Sequence, residues 1–365
     1  MKTLNRFNSA ILIASILVLL AGLWAGLLRI GWAWPPIQPA LPVGHGPLMV
    51  SGFFGALIGL ERAVALKERR WVYLAPVLSG LGGLALTFGI AGVWGALLLF
   101  LGSAGMVAIF VVILRQQTLP YTVMMAAGAV TLMVGNLLWL LGWPVSRFVL
   151  WWMGFLVLTI VGERLELSRI VSRSRFSEVA LLVASAVFAL GLLTALAAWV
   201  PGVRIASAGL LLLAAWLLRY DIARRTVRKP GLTRFIAICL LGGYVWMGLG
   251  GLIGLVYPVA PAGPVYDAVL HAIFLGFTFT MIFGHAPIIF PAVLGLRIAY
   301  RKTMYIPLVS LHLSLALRVA GDLLANAAMR RWGGLLAMVV ILGYFWMIAP
   351  FREDNRTSAP LIPGM

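Results

Sequence analysis

The chain has little negative charge: ten Asp and Glu in 365 residues, against 28 Lys and Arg. It has one cysteine, Cys239, and only four histidines. A lone cysteine excludes an intrachain disulfide, a cysteine-rich zinc site and a CxxC haem attachment, so any haem would be held non-covalently. Only 10% of residues are charged while 62% are hydrophobic, and the mean hydropathy is +1.04, which excludes a water-soluble domain of this size. The net charge of +18 would suit nucleic acid if it formed one basic face. Instead the cations are scattered through short segments between apolar runs, so the expected partner is the lipid bilayer and not nucleic acid.

Twelve apolar stretches, each long enough for about 30 Å of hydrocarbon, can be drawn at roughly 8–29, 46–66, 71–91, 93–114, 119–142, 148–168, 178–199, 203–220, 234–256, 266–290, 304–324 and 332–350. They predict an all-α, polytopic transmembrane helical bundle of about 12 helices. Residues 1–351 form one transmembrane domain and 352–365 a polar cytoplasmic tail. The first stretch resembles a signal h-region but runs too long, and Arg29 follows it without a small-residue cleavage pattern, so it reads as an uncleaved helix.

The cations test this drawing. Of the 28, 22 fall on ends and loops that share one side, five (Arg29, Arg147, Arg204, Arg330, Arg331) on the other, and Arg318 inside a span. The richer side is expected to be cytoplasmic, with both termini there. Trp32, Trp34, Trp143, Trp151, Trp199 and Trp332 fall near outer ends, where an aromatic belt belongs. The largest inner loop, 220–233, reads as a basic connector near anionic lipid.

All four histidines, His45, His271, His285 and His312, lie in or at the ends of spans, and an ionisable residue inside a membrane is a functional-site candidate by default. Any one alone is more simply explained by a hydrogen bond to a neighbouring helix. Together they form two depth-matched pairs, His45 with His271 in the outer half and His285 with His312 in the inner half. On a regular helix His271 and His285 would point within roughly 40° of each other and lie about 21 Å apart. Neutral imidazole is a common metal ligand, facing helices of a bundle are where cofactor sites are built, and two axial histidines make a six-coordinate haem. All four are therefore candidate metal ligands. A non-covalent haem b at His45 and His271 is the leading expectation, with a second haem or copper near the inner pair.

Several residues could support such a site. Asp267, four residues before His271, is placed to accept a hydrogen bond from its imidazole. Arg318 lies deep enough to need a partner, either Asp322 one turn on or a haem propionate. Gly52, Ala56 and Gly59 form a stripe that could admit a flat ring or serve as a helix-packing seam. Met281 and Met304 are conceivable Cu(I) ligands but read as apolar filler. Glu61–Arg62 and Glu163–Arg164 end the second and sixth spans, as a cross-paired cluster fixing helix ends or as the mouth of a proton path.

HGPLMVSGFF at 45–54 resembles the second helix of haem-copper oxidase and nitric oxide reductase main subunits, where a histidine followed by glycine ligates a low-spin haem and the partner ligand comes from the tenth helix. The absence of histidine between His45 and His271 excludes the oxygen- or nitric oxide-reducing centre of that family. The chain is more similar to the NnrS family of twelve-helix membrane proteins, in its span count, its early HG-bearing helix, LHAIFLGFTFTMIFGHAPII at 270–289 and LHLSLALRVAGD at 311–322. It departs from that family in the apolar PAVLGLRIAY at 291–300. The resemblance implies haem and copper binding, a bacterial inner membrane, a role in nitric oxide stress or denitrification, and respiratory or nitric oxide reductase components as partners. The alternative is a secondary transporter with a midplane site at a broken tenth helix, HAPIIFP at 285–291, coupled through Glu61 or Glu163.

Overall fold

The structure is a computed structural model that describes residues 2–66, 68–90, 93–169, 174–257, 259–294 and 298–348. Every regular element among them is helical. In chain order we label α1 (Lys2–Arg29), α2 (Leu41–Ala65), α3 (Leu74–Thr87), α4 (Trp94–Gln116), α5 (Pro120–Leu140) and α6 (Val145–Leu167). There follow α7 (Arg175–Ala197), α8 (Trp199–Tyr220), α9 (Gly231–Val256), α10 (Pro264–Leu294), α11 (Tyr305–Leu323) and α12 (Ala327–Ile348). Eleven of these are long and apolar enough to cross a membrane. The chain is therefore an all-helical, multi-pass membrane protein. The polar tail expected over 352–365 lies outside the described residues, as do Lys67, Arg173 and Arg297.

The exception among the twelve is α3. Its 14 residues span about 21 Å, less than the hydrocarbon thickness. Glycine explains both its length and its place. Gly89, at φ +67°, turns the chain out after the last turn. Gly82 and Gly83 let α3 wedge against its neighbours, since a Cβ on either would meet Leu99 of α4 or Val18 of α1 at 2.7–2.8 Å. Elsewhere the termini follow ordinary rules. Pro120 opens α5 where its missing N–H costs nothing, and the Thr122 hydroxyl accepts from the Leu119 N–H at 2.9 Å.

Long-range bonds tie the loops into two faces. On one, the Trp32 indole donates to the Arg331 carbonyl, Gln38 to the Leu86 carbonyl and Trp199 to the Val259 carbonyl. On the other, Arg62 pairs with Glu163 and Arg164 with Asp221. A continuous buried core runs from Val18 of α1 to Ile348 of α12. At its centre is α6: 83% of its most apolar window is buried, against 33% for α4, α7 and α12. Close approach of glycine to backbone, as between Gly209 of α8 and Phe188 of α7, draws the helices together without needing a hydrophobic drive that lipid cannot supply.

Candidate cofactor site

Both outer histidines sit where a helix leaves α geometry. In α2 a 3-10 turn, Leu41–Gly44, leads to a three-residue α segment, His45–Pro47, and then to a π segment, Leu48–Phe54. In α10 the α segment Pro264–His271 gives way to a π segment, Ala272–Phe279, before α geometry resumes at Thr280. Runs of π geometry are uncommon and concentrate at functional sites. The π segment also breaks the uniform 100° step, so the angular match between His271 and His285 drawn for a regular helix does not apply. The irregularity of α10 falls at 272–279 and not at HAPIIFP, since Pro287 and Pro291 lie within the helix Thr280–Leu294.

The structure brings His45 and His271 together in the lining of one cavity. Their ring planes lie within 11° of parallel and their centroids are 6.3 Å apart, too far for ring-to-ring contact. Each Nδ1–H donates to a backbone carbonyl at 2.8 Å, His45 to Gly22 of α1 and His271 to Asp267 of its own helix. A carbonyl only accepts, so Nδ1 carries the proton and Nε2 keeps its lone pair on both rings. A metal–imidazole bond of about 2 Å, with the ring nitrogen about 1 Å from the ring centre, would put two trans axial imidazoles about 6 Å apart between centroids. The observed pair has that spacing.

The pair lines a cavity of about 490 Å³, within the range of cofactor sites. Its walls are apolar, from Leu27, Ile30, Val149, Phe274, Leu275 and Ile341. Its outer end is ionic. Arg318 Nη2 and Arg330 Nη2 both hold Asp267 Oδ2, at 3.0 and 2.9 Å, and Arg330 Nε lies 3.0 Å from Asp322 Oδ1. Those two acids balance those two guanidiniums. Arg29, exposed at the mouth, adds a positive charge with no ion-pair partner among the described residues. Arg318, only 6% exposed, keeps a buried Nε without a hydrogen-bond partner. A lining of apolar walls, two imidazoles, an orphaned guanidinium donor and excess positive charge fits a planar macrocycle that carries carboxylates.

Other expectations are corrected by this geometry. The backbone carbonyl of Asp267, and not its carboxylate, accepts from His271; the carboxylate oxygen stands 3.9 Å from the ring because two arginines draw it away. Arg318 pairs across to Asp267 rather than along its helix to Asp322, which Arg330 takes instead. The inner histidines each make a separate hydrogen bond. His312 Nδ1 accepts from the Trp246 indole at 2.9 Å, which leaves the proton of the neutral ring on Nε2, and that edge packs against Gly242 of α9. His285 donates Nδ1–H to the Met281 carbonyl at 2.7 Å. Gly52 lies against Val18 and Gly83, and Gly59 against Pro76, so their stripe is a packing seam. Met281 and Met304 are buried core residues.

At the opposite face Arg62 pairs with Glu163 and lies 3.7 Å from Glu61, while Arg164 grips Asp221 at 2.9 and 3.1 Å. This is the cross-paired cluster that fixes helix ends.

The residues that sequence reasoning missed all act across helices. Gly22 and Gly26 of α1 set the His45 ring: the first accepts its proton, and a Cβ on the second would meet the ring at 2.8 Å. Arg330 and Arg29 complete the ionic end. The i, i+4 spacing of Asp267 and His271 was the one local signal; nothing local marks the others.

A multi-pass membrane protein with a paired-imidazole cavity under one face is the class that fold and geometry define. Within it, the chain belongs to the family described as a domain of unknown function, DUF8744, whose model matches residues 8–351. No curated protein matches it.

Proposed function

We propose that this protein binds a b-type haem between His45 and His271 and passes single electrons through it, as an NnrS-like component of a bacterial inner membrane with both termini in the cytoplasm. The observation that carries the reading is the pair of near-parallel imidazoles 6.3 Å apart, each with Nδ1 committed to a carbonyl and Nε2 keeping its lone pair. The haem would supply a one-electron couple. The chain's own residues hold and tune it: His45 and His271 as axial ligands, Arg318, Arg330 and Arg29 for its acidic groups, and the apolar walls to exclude water.

If His45 and His271 both bound the iron, the site would favour electron transfer over binding of a small ligand. The link to nitric oxide stress or denitrification, and to respiratory or nitric oxide reductase components, rests on the family resemblance alone. Copper stays with that resemblance too.

Protein purified from haem-replete cells should show a non-covalent b-type spectrum, removable by acid–acetone. His45→Ala and His271→Ala should each abolish the six-coordinate low-spin signature, and His312→Ala should leave it. Colourless wild-type protein would sink the reading.

A further inference from the structure

The haem reading raises the question of where electrons enter, and the face above the cavity answers it. Four indoles form a connected ladder there. Trp332, 54% exposed, meets Trp32 edge-on at 5.4 Å; Trp32 meets Trp34 at 5.2 Å; Trp34 stacks on Trp24 at 4.8 Å. Trp24 lies two residues along α1 from Gly22, whose carbonyl accepts the His45 proton. A surface aromatic is thus joined to an axial ligand by three ring contacts, two peptide bonds and one hydrogen bond. An aromatic belt explains tryptophans at this depth. It does not explain a contiguous run that ends on α1, whose Gly22 carbonyl accepts the His45 proton.

The charge on this face has one sign. Arg29, Arg147, Arg204 and Arg331 are exposed, and among the described residues the face has only two acids, Asp267 and Asp322, both buried in pairs with Arg318 and Arg330. No carboxylate is exposed there among the described residues. Arg331 sits over the Trp32 ring, 5.1 Å from its centroid, so positive charge covers the ladder near its surface end. Among the described residues the opposite face mixes both signs and has no comparable indole ladder.

We infer that the cavity-side face is the docking surface for an acidic, water-soluble one-electron carrier. The inference rests on the haem reading for its purpose, though not for its charge pattern. In the transfer, one electron leaves the carrier's reduced centre and converts ferric to ferrous haem; no bond forms or breaks. Complementary charge would steer the encounter and make it sensitive to salt.

The test uses the full chain in neutral-lipid nanodiscs and a reduced acidic plant-type ferredoxin as probe. Stopped-flow reduction of the bound haem should slow about tenfold between low and high ionic strength. Arg147→Glu with Arg331→Glu should slow it about tenfold at low salt, with the haem spectrum and reduction by a neutral small-molecule reductant unchanged. Trp32→Leu with Trp332→Leu should slow transfer at saturating ferredoxin while leaving ferredoxin affinity nearly intact. Rates indifferent to salt and to the arginine variant overturn the docking surface. So does an arginine effect that appears only when anionic lipid is present, which assigns the face to lipid headgroups. If no haem is bound, the haem reading fails by itself; binding of oxidised ferredoxin to the same nanodiscs then decides the face, and salt-insensitive or absent binding overturns it.

Discussion

At the residue scale the site depends on side chains that are absent. Gly26 leaves room for the His45 ring, and a methyl group there would meet Cε1 at 2.8 Å and Nδ1 at 2.9 Å. Gly26→Ala must therefore move or rotate the imidazole, at a strain cost of about 1–3 kcal/mol. The consequence is spectroscopic. Near-parallel axial imidazoles give ferric haem a rhombic low-spin EPR signal, whereas crossed planes give one dominant low-field feature. Wild-type protein should show the rhombic signal, and Gly26→Ala should broaden it or convert it to the second type while haem is retained. An unchanged EPR spectrum in the variant would mean that Gly26 is only a packing residue. His45 and His271 themselves were legible in the sequence because imidazole is rare and costly in a membrane. Gly22 and Gly26 were not, because their role exists only where α1 crosses α2. Arg330 was hidden likewise: in sequence it is a loop cation, and in space it closes a carboxylate pair that Arg318 was expected to close along its own helix.

At the element scale, hydropathy reads eleven of the twelve drawn spans correctly, and helix length and regularity are what it misses. Eleven spans follow from length and composition alone. The twelfth is a shorter helix because α3 is a glycine-rich wedge whose ends are set by packing. The π segments of α2 and α10 had no local signal: LMVSGFF and AIFLGFTF read as ordinary apolar helix. The prolines of HAPIIFP do not break α10. The ends of α2 and α6 are joined by Arg62 and Glu163, with Glu61 beside them. Removing one partner strands a partly buried charge, so Arg62→Leu should lower stability by about 1–3 kcal/mol, below the fully buried case because these side chains keep some exposure. Thermal unfolding in mild detergent measures this. A neutral double variant, Arg62→Leu with Glu163→Gln, should recover most of the loss. If it unfolds as readily as the single variant, the pair is not what fixes these ends.

At the scale of the whole molecule, the bundle is asymmetric in a way that bears on everything above. The cavity and the indole ladder lie under one face, and 22 of the 28 cations are assigned by sequence to the other. On the orientation proposed above from the positive-inside rule, the cavity would face the cell exterior, and with it any carrier that docks there. The lone cysteine makes this simple to test, because Cys239 is fully buried in α9 and gives no background to a membrane-impermeant thiol reagent. Arg204→Cys places an exposed thiol at the start of α8 on the cavity face, and Arg224→Cys places one in the basic loop on the other. Arg204→Cys should label in spheroplasts from intact cells and Arg224→Cys only after permeabilisation, with the wild type unlabelled in both. The reverse pattern would turn the molecule over. The paired imidazoles would keep their geometry, but the cavity would then face the cytoplasm, and the acidic carrier would have to be sought there.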